Sequence, residues 1–182
     1  MNFCSACGSD RVSLRVPDGD NRPRDVCDAC GVIHYSNPKV VAGTIPEWRG
    51  RILICKRAIE PRRGLWTLPA GFLENHESVE EGALRETEEE ADARIDIDAL
   101  FGCYSIPHIS QIYMIYRGAL RDLDFGPGPE SLEVKLVELD EIPWDDLAFP
   151  VIRTALEHYV DDRANGSFRL HSGSIKPMKR DQ

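Results

Sequence analysis

The sequence predicts an α/β sandwich around a mixed sheet, with a small cysteine-held ribbon in front of it. Three observations carry this expectation. Two Cys-x2-Cys-Gly knuckles stand near the N-terminus, Cys4-Ser-Ala-Cys7-Gly8 and Cys27-Asp-Ala-Cys30-Gly31. Short strand-like runs alternate with two helical patterns through the rest of the chain. At the centre, a glycine is followed by an acidic helix at a spacing that is hard to produce by chance.

The knuckles come first. Nineteen residues separate Cys7 from Cys27. Four thiolates at this spacing suit a tetrahedral Zn²⁺, and a site of four cysteines is closed and structural. A pair of disulfides is the competing arrangement, but the start, Met1-Asn-Phe-Cys4, shows no charged segment leading into an apolar one. Between the knuckles, Val12–Val16, Pro17–Asp20 and Arg24–Val26 read as strand, turn and strand. A unit of roughly 35 residues is too small to hold without its metal. The expected organisation is a ribbon over 1–36, a main domain over 37–165 and a polar, weakly structured tail over 166–182.

The main domain follows from its patterning. Val40–Ile45 and Arg51–Lys56 read as two strands joined by a turn. Asp96–Tyr104 gives a further strand or two. Gln111–Tyr116 is apolar throughout, as a central strand is. Leu132–Glu138 alternates apolar and charged residues, so one face meets the core. Phe149–Asp162 carries Ile152, Ala155, Leu156 and Tyr159 at helical spacing, and Asn165-Gly166 ends it. Gly126-Pro-Gly-Pro129 reads either as a connector or as the rim of a pocket.

Composition bounds the function. The chain has 182 residues and a net charge of −9. That balance argues against a nucleic-acid surface, which normally shows a basic patch. It also argues against plain electrostatic capture of an anion, so a metal must bridge the two. No apolar run approaches the ~20 residues of a membrane helix. The expectation is a cytoplasmic protein with no nucleic-acid or membrane partner. Cys55 and Cys103 remain after the ribbon and read as buried core thiols.

The central stretch carries the chemistry. Gly71 is followed by Glu77, then by Arg85-Glu86 and by Glu88-Glu89-Glu90. Ser78-Val-Glu-Glu81 is a capping-box signature, so a helix starts near Ser78. Val79, Ala83, Thr87 and Ala91 form its core-facing stripe. Glu86, Glu89 and Glu90 fall at i, i+3 and i+4, on a shared face largely off that stripe. Like charges stacked there repel, and a hard divalent cation converts that cost into binding. Ahead of the helix, Trp66–Gly71 reads as a short strand ending in a turn.

These residues resemble the Nudix hydrolases, whose box reads Gly-x5-Glu-x7-Arg-Glu-U-x-Glu-Glu-x-Gly-U, with U a bulky aliphatic. Gly71, Glu77, Arg85, Glu86, Glu89 and Glu90 match. Thr87 and Ala93 stand at the aliphatic positions, and Asp92 replaces the last glycine, where a left-handed backbone is common. The likeness extends to Asn37-Pro-Lys39, Gly64–Leu73, Gly126–Ser131 and Asp140–Pro143, which with the ribbon are similar to the plant chloroplast FAD/ADP-ribose pyrophosphatases. Zinc-ribbon NADH pyrophosphatases are near relatives, but their Ser-Gln-Pro-Trp-Pro-Phe segment is replaced here by Ser105–Tyr113.

The resemblance implies a Nudix α/β/α sandwich and Mg²⁺- (or Mn²⁺-) dependent hydrolysis of a dinucleotide pyrophosphate. FAD (to FMN and AMP) leads, ADP-ribose is second and NADH third. Glu86, Glu89 and Glu90 are the expected Mg²⁺ ligands, with the Gly71 carbonyl as an additional candidate. Arg85 is expected to orient the loop through Glu77. A further carboxylate is expected outside the box, Glu133 first and Glu130 next, as base or ligand. Arg57 is a candidate phosphate binder and Trp66 a stacking surface, with Tyr104 and Tyr113 offering others. Surface solvation and core packing are their competing roles. The five histidines show no ligand spacing. A homodimer is a family-level expectation, and a non-catalytic ribbon–Nudix binding module is the alternative of another class.

Overall fold

The computed structural model describes residues 1–177. The chain divides into two compact units, Met1–Asn37 and a second beginning at Pro38, one residue from the boundary expected from sequence.

In the first unit, β1 (Val12–Arg15) pairs antiparallel with β2 (Arg24–Cys27), and β2 with β3 (Ile33–His34). Gly8 and Gly31 follow the knuckles with φ of +74° and +75°, a left-handed backbone that only glycine adopts without strain. Their N–H groups donate to the Cys4 and Cys27 carbonyls at 2.9 and 2.8 Å.

The second unit is built on a mixed sheet. Its strands are β4 (Lys39–Trp48), β5 (Arg51–Arg57), β6 (Trp66–Thr67), β7 (Ala70–Phe72), β8 (Ile95–Ile106), β9 (Gln111–Leu120), β10 (Ser131–Val137) and β11 (His171–Ser174). The order is β10-β5-β4-β9-β8-β11. β4 runs parallel to β9, and β11 parallel to β8. Helix α1 (Val79–Ala91) covers one face and α2 (Pro150–Ala164) the other. Strand alternation sorts the two cores. Ile52 and Ile54 pack with Val151, Ile152, Leu156 and Tyr159 of α2, whereas Leu53 and Cys55 pack with Ala91 beneath α1.

One irregularity positions the site. β4 and β5 pair only at their joined end, Glu47↔Ile52 and Trp48↔Arg51. Beyond that they splay, and residues 66–72 fill the wedge: β6 pairs with β5, and β7 pairs with β4. The expected single strand through Trp66 is therefore two short strands that change partners around Leu68-Pro69. Gly71 lies in β7, opposite Ala42, and not in a turn.

Two further expectations are revised. The stretch after residue 165 is not wholly unstructured, because His171–Ser174 adds an edge strand to the sheet. The part of the expected tail over 178–182 lies outside the described residues. Cys55 is a buried core thiol, but Cys103 is only partly covered. Among the described residues, no helix is long and apolar enough to cross a membrane.

Candidate active site and cysteine cluster

The four knuckle cysteines converge, their Sγ atoms all within 4.8 Å of one another. Cys4 and Cys30 are 3.7 Å apart and Cys7 and Cys27 3.6 Å. A disulfide requires about 2.05 Å, whereas four thiolates ~2.3 Å from a tetrahedral Zn²⁺ stand about 3.8 Å apart. The arrangement fits a metal and excludes the disulfide pairing in this structure.

Helix α1 begins as its sequence dictates. Ser78 Oγ accepts from the Glu81 N–H at 3.2 Å, and the Glu81 carboxylate accepts from the Ser78 N–H at 2.7 Å. The helix ends at Asp92, with φ +46° and its N–H donating to the Glu88 carbonyl. Asp therefore adopts the left-handed backbone at the position where the box has glycine. Thr87, at an aliphatic position, is fully buried. Its hydroxyl donates to the Ala83 carbonyl at 2.7 Å, leaving Thr44 Oγ1 to donate to it at 2.7 Å. The polar substitution is thus satisfied inside the core.

The three acids of the box are not equivalent. Glu86 and Glu90 are buried, at 9% and 6% exposure, while Glu89 faces solvent. The core-facing side of α1 is therefore wider than its stripe of small residues indicates. Glu90 accepts from the Ala70 N–H at 3.2 Å. Burial pushes its carboxyl up to about 8, aided by the neighbouring charges of Glu86 and Glu130. Burial likewise raises Glu86, against the lowering effect of Arg85. Glu86 lies over Gly71, and a Cβ on Gly71 would overlap its carboxylate. The glycine is needed for close approach.

Arg85 organises the group. Its Nε and Nη2 form a fork to the two oxygens of Glu77 at 3.0 and 2.8 Å, and Nη2 also donates to the Phe72 carbonyl at 3.1 Å. Nη1 donates to Glu86 at 2.7 Å and Glu89 at 3.0 Å. The guanidinium holds Glu77 far below the ordinary carboxylate range, at about 2. Glu77 also accepts from the Glu74 N–H at 2.6 Å. One arginine thereby ties the loop after β7 to the acidic face of α1.

These groups line one side of a cavity of about 1110 Å³, above the ~300–1,000 Å³ usual for small-molecule sites. Gly71, Arg85, Glu86, Glu89, Glu90 and Glu130 line it together with Arg57 and Arg62. Arg57 also lies 5.1 Å over the Phe149 ring and donates to the Pro61 carbonyl. Ile106, Ile109, Tyr113, Phe149 and Val151 supply apolar lining.

Two expected site residues stand elsewhere. A bulge between Ser131 and Glu133 shifts the register of β10, so Glu133 faces Lys56, 3.8 Å away, half-exposed and outside the cavity lining. Glu130, one residue before the strand, is the carboxylate that the structure brings to the cavity. Trp66 is buried in the α2-side core, with Lys135 and Lys56 over its ring at 4.3 and 5.5 Å. Of the other aromatics named from sequence, Tyr113 lines the cavity, and Tyr104 is buried with its hydroxyl on His158 at 2.8 Å. His108, Phe149, Ile175 and Lys176 also line the cavity. None carries a sequence signal, because they come from a single 3-10 turn, a helix entrance and the chain just past an edge strand, with no periodic pattern. We expect Glu130→Gln to lower kcat at least tenfold and Glu133→Gln to leave it near wild type. Steady-state kinetics of the two variants reads this directly, and the reverse order would restore Glu133.

Comparison with known proteins agrees with this geometry. The family model described as Nudix N-terminal, a zinc ribbon, matches residues 2–36, and that of the NUDIX domain matches residues 37–159. The chain belongs to the Nudix hydrolases. A NUDIX hydrolase structure from Nitrosomonas europaea is 55% identical, with a TM-score of 0.90, covering 96% of this chain and 100% of that one. An ADP-ribose pyrophosphatase of Methanocaldococcus jannaschii is 32% identical over 60% of this chain and 67% of its own length. The mitochondrial NAD(P)H pyrophosphatase NUDT13 of Mus musculus is 28% identical over 97% of this chain. The NAD-capped RNA hydrolase NudC of Stutzerimonas stutzeri is 26% identical over 88%. The chain spans about half the length of these last two, 45% and 56%.

Proposed function

We propose that the chain hydrolyses the pyrophosphate bond of nucleoside diphosphates linked to a further group, with ADP-ribose, FAD and NADH as the leading substrates. The observation that carries this reading is the mixed lining of the cavity: carboxylates and arginines are joined in one space to an apolar, aromatic wall. A dinucleotide has the matching polarity, two charged phosphates flanked by ring systems. ADP-ribose stands first, supported by the name of the 32% identical relative. FAD, favoured by the sequence resemblance, and NADH follow.

The donor set fits a hard cation. Glu86, Glu89, Glu90 and Glu130 offer only carboxylate oxygens, and two of them are buried like charges raised by their surroundings. Mg²⁺ or Mn²⁺ suits such a set, with the Gly71 carbonyl an additional oxygen. Bound there, the ion would neutralise phosphoryl oxygens and lower the pKa of a coordinated water. The protein's own groups do the rest. Arg85 holds Glu86 and Glu89 in place. Arg57 presents a cation to the phosphates. Glu130 is the proposed base, a carboxylate oxygen taking the proton of the attacking water. The four thiolates of the ribbon are the proposed Zn²⁺ ligands.

The test is AMP release from the three dinucleotides with Mg²⁺ and none with EDTA. Binding without turnover would instead favour a non-catalytic module. We expect kcat/KM for ADP-ribose and FAD to equal or exceed that for NADH. An NADH advantage above about tenfold, ~1.4 kcal/mol of discrimination, would overturn the ranking and leave the reaction class standing.

A further inference from the structure

We propose that residues 171–177 form a specificity strap. β11 is pinned at one end so that Ile175 and Lys176, at the other, wall the cavity and select the group attached beyond the pyrophosphate. The inference rests on the pyrophosphatase reading above and adds to it where substrate choice lies.

The segment falls outside the matched NUDIX domain, which ends at residue 159. It has little intrinsic reason to order. His171-Ser-Gly-Ser174 is short and polar, and three of its four residues are exposed. What orders it is one buried histidine. His171 is 8% exposed, with Nε2 at 2.8 Å from Asp162 of α2, itself 4% exposed. Asp162 also accepts from the Arg169 N–H at 3.0 Å. The His171 ring stacks on His158 at 4.1 Å and leans on Phe101 at 5.1 Å. A buried charge-assisted hydrogen bond with aromatic cover is a strong local anchor.

From that anchor the chain runs parallel to β8, His171 beside Gly102 through Ser174 beside Ser105. The Ile175 N–H then donates to the Ser105 carbonyl at 2.8 Å. This register delivers Ile175, Lys176 and Pro177 to the cavity, on whose wall Ile106 and Ile109 also stand. The acidic side of the cavity acts on any two linked phosphates. Discrimination must come from groups that touch what lies beyond them. Ile175 offers apolar contact to a ring, and Lys176 brings a cation to the wall. His171 is a positioning residue, acting through the strap.

The experiment compares wild type with Ile175→Ala, Lys176→Ala, His171→Ala and His171→Gln on ADP-ribose, FAD and NADH. A methyl ester of ADP, which keeps the two phosphates and lacks the group beyond, serves as the control substrate. The expected result is a rise in KM of about tenfold for at least one dinucleotide in the first three variants. The kcat stays within about twofold, and the methyl ester is unaffected. His171→Gln, which can still donate to Asp162, restores KM. Equal losses on the methyl ester and the dinucleotides would mean general damage and overturn the strap, as would no change in any KM. A wild-type protein that cleaves none of the four compounds would overturn the pyrophosphatase reading, and the strap's role with it.

Discussion

Glu90→Gln is expected to lower kcat by about a hundredfold or more, the scale for losing a major electrostatic contribution to a transition state. Gln keeps the shape of the side chain, and its amide oxygen can still accept from the Ala70 N–H. It removes the charge that would hold a cation. Stability should move the other way. The folded carboxyl titrates at about 8, above the ~4.3 of an unfolded Glu. Between those values the folded state binds a proton that the unfolded state lacks. Without added metal, wild-type stability should therefore fall as pH rises from about 4.3 to about 8. The Gln variant should lack that part of the slope. Glu88, exposed on the same helix, is the control, and Glu88→Gln should be near wild type. Kinetics and thermal melts of both variants across pH measure this. Equal kinetic losses at 88 and 90 would remove the assignment.

The second large effect concerns the ribbon. Wild-type protein purified without added zinc should carry about one equivalent of Zn²⁺ by elemental analysis, and Cys27→Ser should carry none. Cys27 is fully buried, its Sγ 3.6 Å from that of Cys7. The first unit holds few buried apolar residues, so loss of the metal should unfold it. The unit beginning at Pro38 has its own cores and should keep its fold. Limited proteolysis should then cut within residues 1–37 and spare the remainder. Full zinc occupancy in Cys27→Ser would overturn the assignment.

Much of this architecture is legible in the sequence where periodicity or a cap marks it. Ser78 and Glu81 define the start of α1, and Ile152, Ala155, Leu156 and Tyr159 define the buried face of α2. The knuckle spacing brings four thiolates together. The acidic box places Gly71, Glu86 and Glu90 in one cavity. What was not legible depended on register and on distant pairing. Alternation puts Leu132 on the core face and the family resemblance puts Glu133 near the site, but a bulge shifts the register, and Leu132 is 49% exposed. β11 was invisible because its stability lies in His171 meeting Asp162 and in β8, not in its own residues. Trp66 reads from sequence either as a stacking surface or as core packing, and burial decides for packing, in the α2-side core.

The loop Gly126-Pro-Gly-Pro129 does more than connect. Its Gly126 and Gly128 N–H groups donate to the Ala91 and Glu90 carbonyls at 2.9 and 3.2 Å, closing the last turn of α1. A Cβ on Gly128 would overlap the Glu89 carbonyl. The next residue but one is Glu130, whose carbonyl accepts from the Ala58 N–H at 2.7 Å. The chain is thus riveted on both sides of Glu130, to the end of the acidic helix and to the segment after β5. Carboxylates that sit forty residues apart in sequence share one rigid bracket. Length changes at Leu123-Asp124, in an exposed bend ahead of the half-buried Phe125, should leave the bracket intact, whereas a single residue inserted between 126 and 130 would put Glu130 out of step with Glu90.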